Sequence, residues 1–99
     1  MVKRTILNNL NGICPGGQMT AILGSSGAGK TSLLNILAKR IDNSNGVEVS
    51  GEILANSKSY DFNRFASFAS YVMQNDILME TMTPRESFQF VANLKYSNY

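Results

Sequence analysis

The chain has 99 residues, 43% of them hydrophobic and 16% charged, which is the composition of one small globular domain or of part of a larger one. Nine Lys and Arg against seven Asp and Glu give a net charge of +2, and the scattered basic residues argue against nucleic acid as a partner. Cys14 is the single cysteine and histidine is absent, so the composition excludes an internal disulfide and offers no cluster of soft metal ligands.

The first half of the chain predicts strand, loop and helix in that order. Residues 5–7 predict a short strand, and a Pro-Gly-Gly turn leads to a buried strand over residues 18–23. A loop rich in glycine and serine follows over residues 24–29. Residues 30–41 predict a helix with a wide apolar stripe, typical of a helix packed on a sheet. The stripe consists of Leu33, Leu34, Leu37, Ala38 and Ile41.

The second half predicts short elements. Apolar and polar residues alternate from residue 47, so residues 47–54 predict one or two strands of a small antiparallel portion. Phe62, Phe65 and Phe68 lie three apart, which predicts a short helical turn with an aromatic edge in the core. Residues 69–73 predict a further buried strand.

The last predicted helix has a clear start signal. Thr83 stands three residues before Glu86, the spacing of a capping box, and Pro84 occupies the first helical position. An apolar stripe then continues toward Lys95.

Residues 24–31 match the pattern G-x-x-x-x-G-K-[ST] in full, between a predicted strand and a predicted helix. Glycines let such a loop turn sharply and point backbone N–H groups inward, where they form an anion-binding nest. The start of the following helix adds unpaired N–H groups and a partial positive charge. The spacing therefore predicts a phosphate-binding loop. Its residues are Gly24, Ser25, Ser26, Gly27, Ala28, Gly29, Lys30, Thr31 and Ser32.

Three side chains at the end of this loop have predicted roles. Lys30 supplies a flexible cation for the β- and γ-phosphates of a nucleotide. The Thr31 hydroxyl is a candidate ligand for Mg²⁺, which prefers oxygen ligands and shares them with phosphates. Ser32 is placed to hydrogen-bond the α-phosphate.

Gln74 is a second candidate, at the end of the strand predicted over residues 69–73. At the carboxyl end of a strand in an α/β sheet, its amide would ligate Mg²⁺ or hold the attacking water. A plain loop residue is the alternative interpretation of Gln74. Asp76 is a rival metal ligand, but the apolar run that precedes a Walker B carboxylate is missing before it.

Four pieces in this order resemble the start of the ATP-binding cassette of an ABC transporter, most of all the G subfamily of White-type half-transporters and pleiotropic drug-resistance pumps. The resemblance covers almost the whole chain. It is carried by residues 3–35 around the loop, 51–53 of the antiparallel subdomain, 71–76 of the Q-loop and 82–88 after it. The chain departs from it in Lys39, where many relatives have glycine, and in Asn75, where an acidic residue is frequent.

The resemblance implies an α/β P-loop NTPase fold of the ABC type, with residues 1–99 as the N-terminal part of one nucleotide-binding domain. It implies binding of ATP with Mg²⁺ and, in the complete protein, hydrolysis that drives transport of lipid-like or other hydrophobic substrates. Lys30 and Gln74 would be catalytic residues, and Thr31 and Gln74 would ligate the metal. The implied partners are a second nucleotide-binding domain and a membrane-spanning domain, and the implied location is the cytoplasmic face of a membrane.

Several parts of a complete cassette are missing from the sequence. The last glycine is Gly51, so no glycine-rich signature loop follows it, and neither a Walker B carboxylate pair nor a switch histidine is present. We therefore expect an incomplete sheet, exposed apolar surface and no ATP turnover by these residues alone. The alternatives left open are a soluble ABC ATPase, another P-loop enzyme such as a kinase or GTPase, and a truncated, non-hydrolytic nucleotide-binding fragment.

Overall fold

A computed structural model describes residues 3–41, 43 and 46–96. The elements in chain order are α1 (Lys30–Leu37), β1 (Leu54–Ala55), β2 (Lys58–Ser59), α2 (Phe62–Phe68) and α3 (Pro84–Tyr96). β1 and β2 pair antiparallel, with Leu54 opposite Ser59 and Ala55 opposite Lys58. The sequence predicts a small antiparallel portion, and this hairpin is one, but it overlaps the predicted strand span of residues 47–54 only at Leu54. Residues 47–53 form no strand, so the predicted position is wrong.

The strands predicted over residues 5–7, 18–23 and 69–73 are not formed, so these predictions are wrong for this structure. Met19 and Val72 in these segments are 98% and 91% exposed, whereas Leu7 and Tyr71 are half-buried. A buried strand is stable only when a neighbouring strand satisfies its N–H and C=O groups. Within the described residues, the only strand pairing is that of β1 with β2.

The hairpin turn places two residues in left-handed backbone conformations. Asn56 has φ 52° and Ser57 has φ 64°, as a two-residue turn of type I′ requires. Asparagine tolerates this conformation, but serine is less suited to it than glycine.

α1 ends at Leu37, four residues before the predicted end at Ile41. The cause is a Schellman motif: Lys39 N–H donates to Ile36 O at 3.0 Å, and Arg40 N–H donates to Asn35 O at 2.8 Å. Lys39 has φ 57°, the left-handed conformation that usually belongs to glycine at this position. Lys39 thus occupies a backbone position that favours glycine.

An aromatic cluster connects α2 to the hairpin. The ring of Tyr60 lies 6.1 Å from that of Phe65 and 5.5 Å from that of Phe68, and α2 is capped by Asp61, which accepts from Arg64 N–H. The predicted helical turn is confirmed. The predicted burial holds only for Phe65, which is half-buried, because Phe62 and Phe68 are 56% and 53% exposed.

The predicted capping box of α3 is confirmed. Thr83 N–H donates to Glu86 Oε2 at 3.0 Å, and Glu86 N–H donates to Thr83 Oγ1 at 3.2 Å. These two reciprocal bonds satisfy donors that the helix itself leaves unpaired.

The chain buries little of its surface. Its radius of gyration is 16.8 Å, against about 12.6 Å for a compact domain of this length. Its accessible surface is 9586 Å², against roughly 5,600 Å² for a folded monomer of this mass. Ala38 is the one fully buried apolar residue in the described part of the chain. The expectation of exposed apolar surface is confirmed, and no described helix is long and apolar enough to cross a membrane.

Candidate phosphate-binding site

The loop before α1 is shaped by glycines in left-handed conformations. Gly27 has φ 82° and Gly29 has φ 99°, both in the range where a side chain is strained. Between them the chain turns, and Ala28 N–H donates to Ser25 O at 3.1 Å. The loop therefore closes on itself immediately before the helix begins.

Two glycines of the loop also lie close against neighbouring side chains. A Cβ on Gly29 would lie 2.8 Å from Leu7 Cδ2, closer than real carbon atoms approach. A Cβ on Gly24 would lie 3.2 Å from the Cβ of Ala28. The segment at Leu7 thus supports the loop from behind, in the place where a strand was predicted.

The start of α1 presents free donors to the loop. Gly29 is the N-cap and contributes no side-chain hydrogen bond. The first backbone bond of the helix runs from Leu33 N–H to Gly29 O at 2.9 Å. Within the described residues, the N–H groups of Lys30, Thr31 and Ser32 have no acceptor. Such donors, together with the helix dipole, form a site for an anion.

Lys30 folds back over the loop that precedes it. Its Nζ donates to Gly24 O at 2.6 Å and to Ser25 O at 2.8 Å. An ammonium group has three donors, so two of them fix the side chain above the loop and one remains for a ligand. The cation is thereby held over the loop that leads into α1, and its contact with a phosphate stays a prediction.

The donor set fits Mg²⁺ shared with phosphates rather than a metal held by the protein alone. No group of three or more His, Cys, Asp or Glu side chains that could hold a metal lies within residues 3–41, 43 and 46–96. Thr31 is exposed beside Lys30, and its hydroxyl makes no hydrogen bond to another described group. Mg²⁺ commonly takes one or two protein oxygens and completes its shell with phosphate and water.

Gln74 lies in a different concavity from the loop. A cavity of about 490 Å³ around it is lined by residues 71–78 alone, and Asp76 shares that lining. No hydrogen bond links Gln74 to the phosphate-binding loop in the described part of the chain. The joint site of Lys30, Thr31 and Gln74 is not assembled here and stays a prediction.

Sequence reasoning missed the contacts made by the end of α1. Arg40 stacks on the ring of Tyr71, with its guanidinium carbon 4.6 Å from the ring centroid. The Tyr60 hydroxyl donates to Leu37 O at 2.5 Å, and Lys39 Nζ lies 5.1 Å from the Tyr60 ring centroid. The only signals in the sequence were the basic pair after the helix and a tyrosine before Gln74, and neither identifies its partner.

Comparison with known proteins decides the family. Residues 7–98 match the ABC transporter family. The chain belongs to this family. The resemblance drawn from the motifs is confirmed, and it brings with it the P-loop NTPase fold and the binding of ATP that define the family's nucleotide-binding domain.

Individual relatives of this segment are named as ABC transporters. It is 47% identical to ABC transporter G family member 1 of Dictyostelium discoideum over 95% of this chain and 11% of that protein. It is 44% identical to a pleiotropic ABC efflux transporter of multiple drugs of Candida albicans over 96% of this chain and 6% of that protein. It is 40% identical to an ABC transporter ATP-binding protein/permease of Caenorhabditis elegans over 93% of this chain and 13% of that protein.

The chain therefore spans roughly a tenth of the length of these relatives, all of which are named as transporters. No solved structure matches it.

Proposed function

We propose that residues 24–32 bind the phosphates of ATP together with Mg²⁺, as the first part of a transporter nucleotide-binding domain. One observation carries this proposal: Lys30 is fixed over a glycine loop by Gly24 O and Ser25 O, beside the free N–H groups that open α1. A cation and converging backbone donors at a helix start are the features that a polyphosphate requires.

Each group then has one task. The N–H groups of Lys30, Thr31 and Ser32 donate to phosphate oxygens, and the remaining Nζ donor of Lys30 bonds to the β- and γ-phosphates. The Thr31 hydroxyl offers an oxygen to the metal. Bound Mg²⁺ neutralises negative charge that develops on the phosphate oxygens.

Gln74 acts in the same reaction after the sheet has been completed. Its amide ligates the metal or holds the attacking water, and it reports the presence of the γ-phosphate to the transport machinery. Support for this role is its place directly after an apolar segment that resembles the Q-loop strand.

Hydrolysis in the full-length protein drives transport of hydrophobic, lipid-like substrates across a membrane, from a site on its cytoplasmic face. Support comes from relatives such as the efflux transporter of multiple drugs from Candida albicans, which is 44% identical over this segment. A second nucleotide-binding domain and a membrane-spanning domain are the partners. Neither can be supplied by the described residues.

The test is Mg²⁺-dependent ATP hydrolysis by the full-length protein with matched variants at Thr31. Thr31→Val removes the hydroxyl at nearly constant shape, and Thr31→Ser keeps it. We expect Thr31→Val to lower kcat by about a hundredfold, the size of losing one charge-stabilising group, and Thr31→Ser to retain most of the activity. Equal activity of all three proteins would show that the metal is not held here.

A further inference from the structure

Arg40 and Tyr71 form the contact that joins the end of α1 to the segment containing Gln74. The guanidinium carbon lies 4.6 Å from the ring centroid, although 31 positions separate the two residues. Arginine over a tyrosine face is attracted by the ring electrons and also stacks on its plane. Tyr71 is half-buried, so the contact is partly shielded from water.

The α1 side of this contact is held rigidly. The Schellman bond from Arg40 N–H to Asn35 O fixes the backbone that carries the guanidinium. The adjacent turn of the helix is tied to the aromatic cluster, because the Tyr60 hydroxyl donates to Leu37 O at 2.5 Å. The backbone of Arg40 is therefore held at the opposite end of α1 from the phosphate-binding loop.

The length of α1 is similar to the extended distance from Tyr71 to Gln74. α1 has 8 residues, a length of about 12 Å at the rise of an α-helix. Gln74 follows Tyr71 by three positions, which span about 10 Å when extended. In this structure Gln74 does not reach the loop. Once a completed sheet holds residues 71–74 extended and antiparallel to α1, the contact of Tyr71 with Arg40 would bring Gln74 close to the level of Lys30.

We propose that Arg40 and Tyr71 are positioning residues that set the distance between Gln74 and the bound phosphates. This stacked pair, the Arg40–Tyr71 clamp, touches neither nucleotide nor metal and acts only through Gln74. The inference rests on the proposed function, because it assumes that ATP binds at Lys30 and that Gln74 takes part in hydrolysis.

The experiment measures kcat and KM for ATP in the full-length protein. Tyr71→Phe keeps the ring face and Tyr71→Leu removes it, and Arg40→Lys and Arg40→Ala are the matched pair on the other side. We expect Tyr71→Leu and Arg40→Ala to lower kcat by about two- to fivefold, the factor that a partly exposed cation–π contact contributes. KM for ATP stays within about twofold, since the loop is untouched. Tyr71→Phe remains close to wild type.

A double-mutant cycle with Gln74→Ala separates positioning from general stability. A clamp that acts through Gln74 has no further effect on kcat once that amide is gone, so the two changes are not additive. If the double variant lowers kcat by the product of the two single-variant factors, the inference is overturned. Equal kcat for Tyr71→Phe and Tyr71→Leu also overturns it. The Tyr71 pair preserves the test if Arg40→Ala does not fold.

The same measurements distinguish this inference from the function on which it rests. Absence of ATP binding by the wild-type protein overturns the proposed function, and the clamp with it. Wild-type hydrolysis that Gln74→Ala impairs, combined with no effect of either clamp variant, overturns the clamp alone. Lys58→Ala is the control for loss of a surface cation, because Lys58 is exposed on β2 and forms no ion pair within the described chain.

Discussion

Some residues of this chain that are not glycine adopt left-handed backbone conformations that glycine adopts more easily. Lys39 at the end of α1 and Ser57 in the hairpin turn have φ 57° and φ 64°, positions usually occupied by glycine. Lys39 is partly compensated by its contact with the Tyr60 ring at 5.1 Å. Ser57 makes no such contact in the described structure, so its strain is uncompensated.

Ser57→Gly is expected to stabilise the hairpin. Removing the strain of a left-handed serine should raise the free energy of unfolding by about 1–2 kcal/mol. The greater flexibility of glycine in the unfolded chain should lower it again by about 0.5–1 kcal/mol. The midpoint of thermal unfolding of the full-length protein should rise. Ser59→Gly, in extended β2, is the control and should lower the midpoint. A lower midpoint for Ser57→Gly would contradict the turn geometry.

Burial raises the pKa of the Tyr60 phenol above its usual 10.0. The folded chain thus favours the neutral phenol, which donates to Leu37 O, and this stability is present below pH 10 and lost as pH rises through the raised pKa. Tyr60→Phe should cost about 0.5–1 kcal/mol at pH 7. Measured by chemical denaturation, the difference between the two proteins should shrink above pH 10. A difference independent of pH would argue against the hydrogen bond.

Among the secondary-structure elements, helix starts formed by neighbouring residues were predicted correctly, whereas strands that need a partner distant in the chain were not. The capping box of α3 lies within four consecutive residues, and the spacing of the loop fixes the start of α1, so both were predictable. The strand over residues 18–23 depends on neighbours elsewhere in the chain and does not form. The early end of α1 was missed because a left-handed lysine gives no signal of its own.

The strength of the capping box is testable in a peptide spanning residues 80–96. Thr83→Ala removes the acceptor for Glu86 N–H and should cost about 1 kcal/mol of helix stability. Circular dichroism at the helical band should therefore show lower helicity. Thr81→Ala, before the helix, is the matched control and should leave the signal unchanged. Equal helicity of both variants would show that the box contributes nothing in water.

The molecule as a whole exposes much apolar surface to solvent. Apolar side chains of α3 such as Phe88 and Leu94 are 77% and 69% exposed, and an accessible surface of 9586 Å² belongs to an expanded chain. The loop could be predicted because it is made from consecutive residues. The Arg40–Tyr71 clamp could not, since no sequence pattern pairs residues so far apart.

The isolated 99-residue chain should consequently bind the dye ANS and enhance its fluorescence severalfold. The physical reason is contiguous apolar surface open to water. Denaturation in guanidinium chloride is the control, because it disperses that surface and should abolish the signal. A chain that does not enhance ANS fluorescence, and that elutes from size-exclusion chromatography with the radius of a compact domain, would contradict the exposed apolar surface.

We propose that the loop at residues 24–32 binds ATP phosphates through Lys30, and equilibrium titration of the full-length protein with ATP and Mg²⁺ is the decisive measurement. We expect saturable binding that Lys30→Ala weakens by about tenfold or more, because a hydrogen bond from a charged group is lost, whereas Lys58→Ala should bind like the wild type. Binding of equal strength by wild type and Lys30→Ala would contradict it.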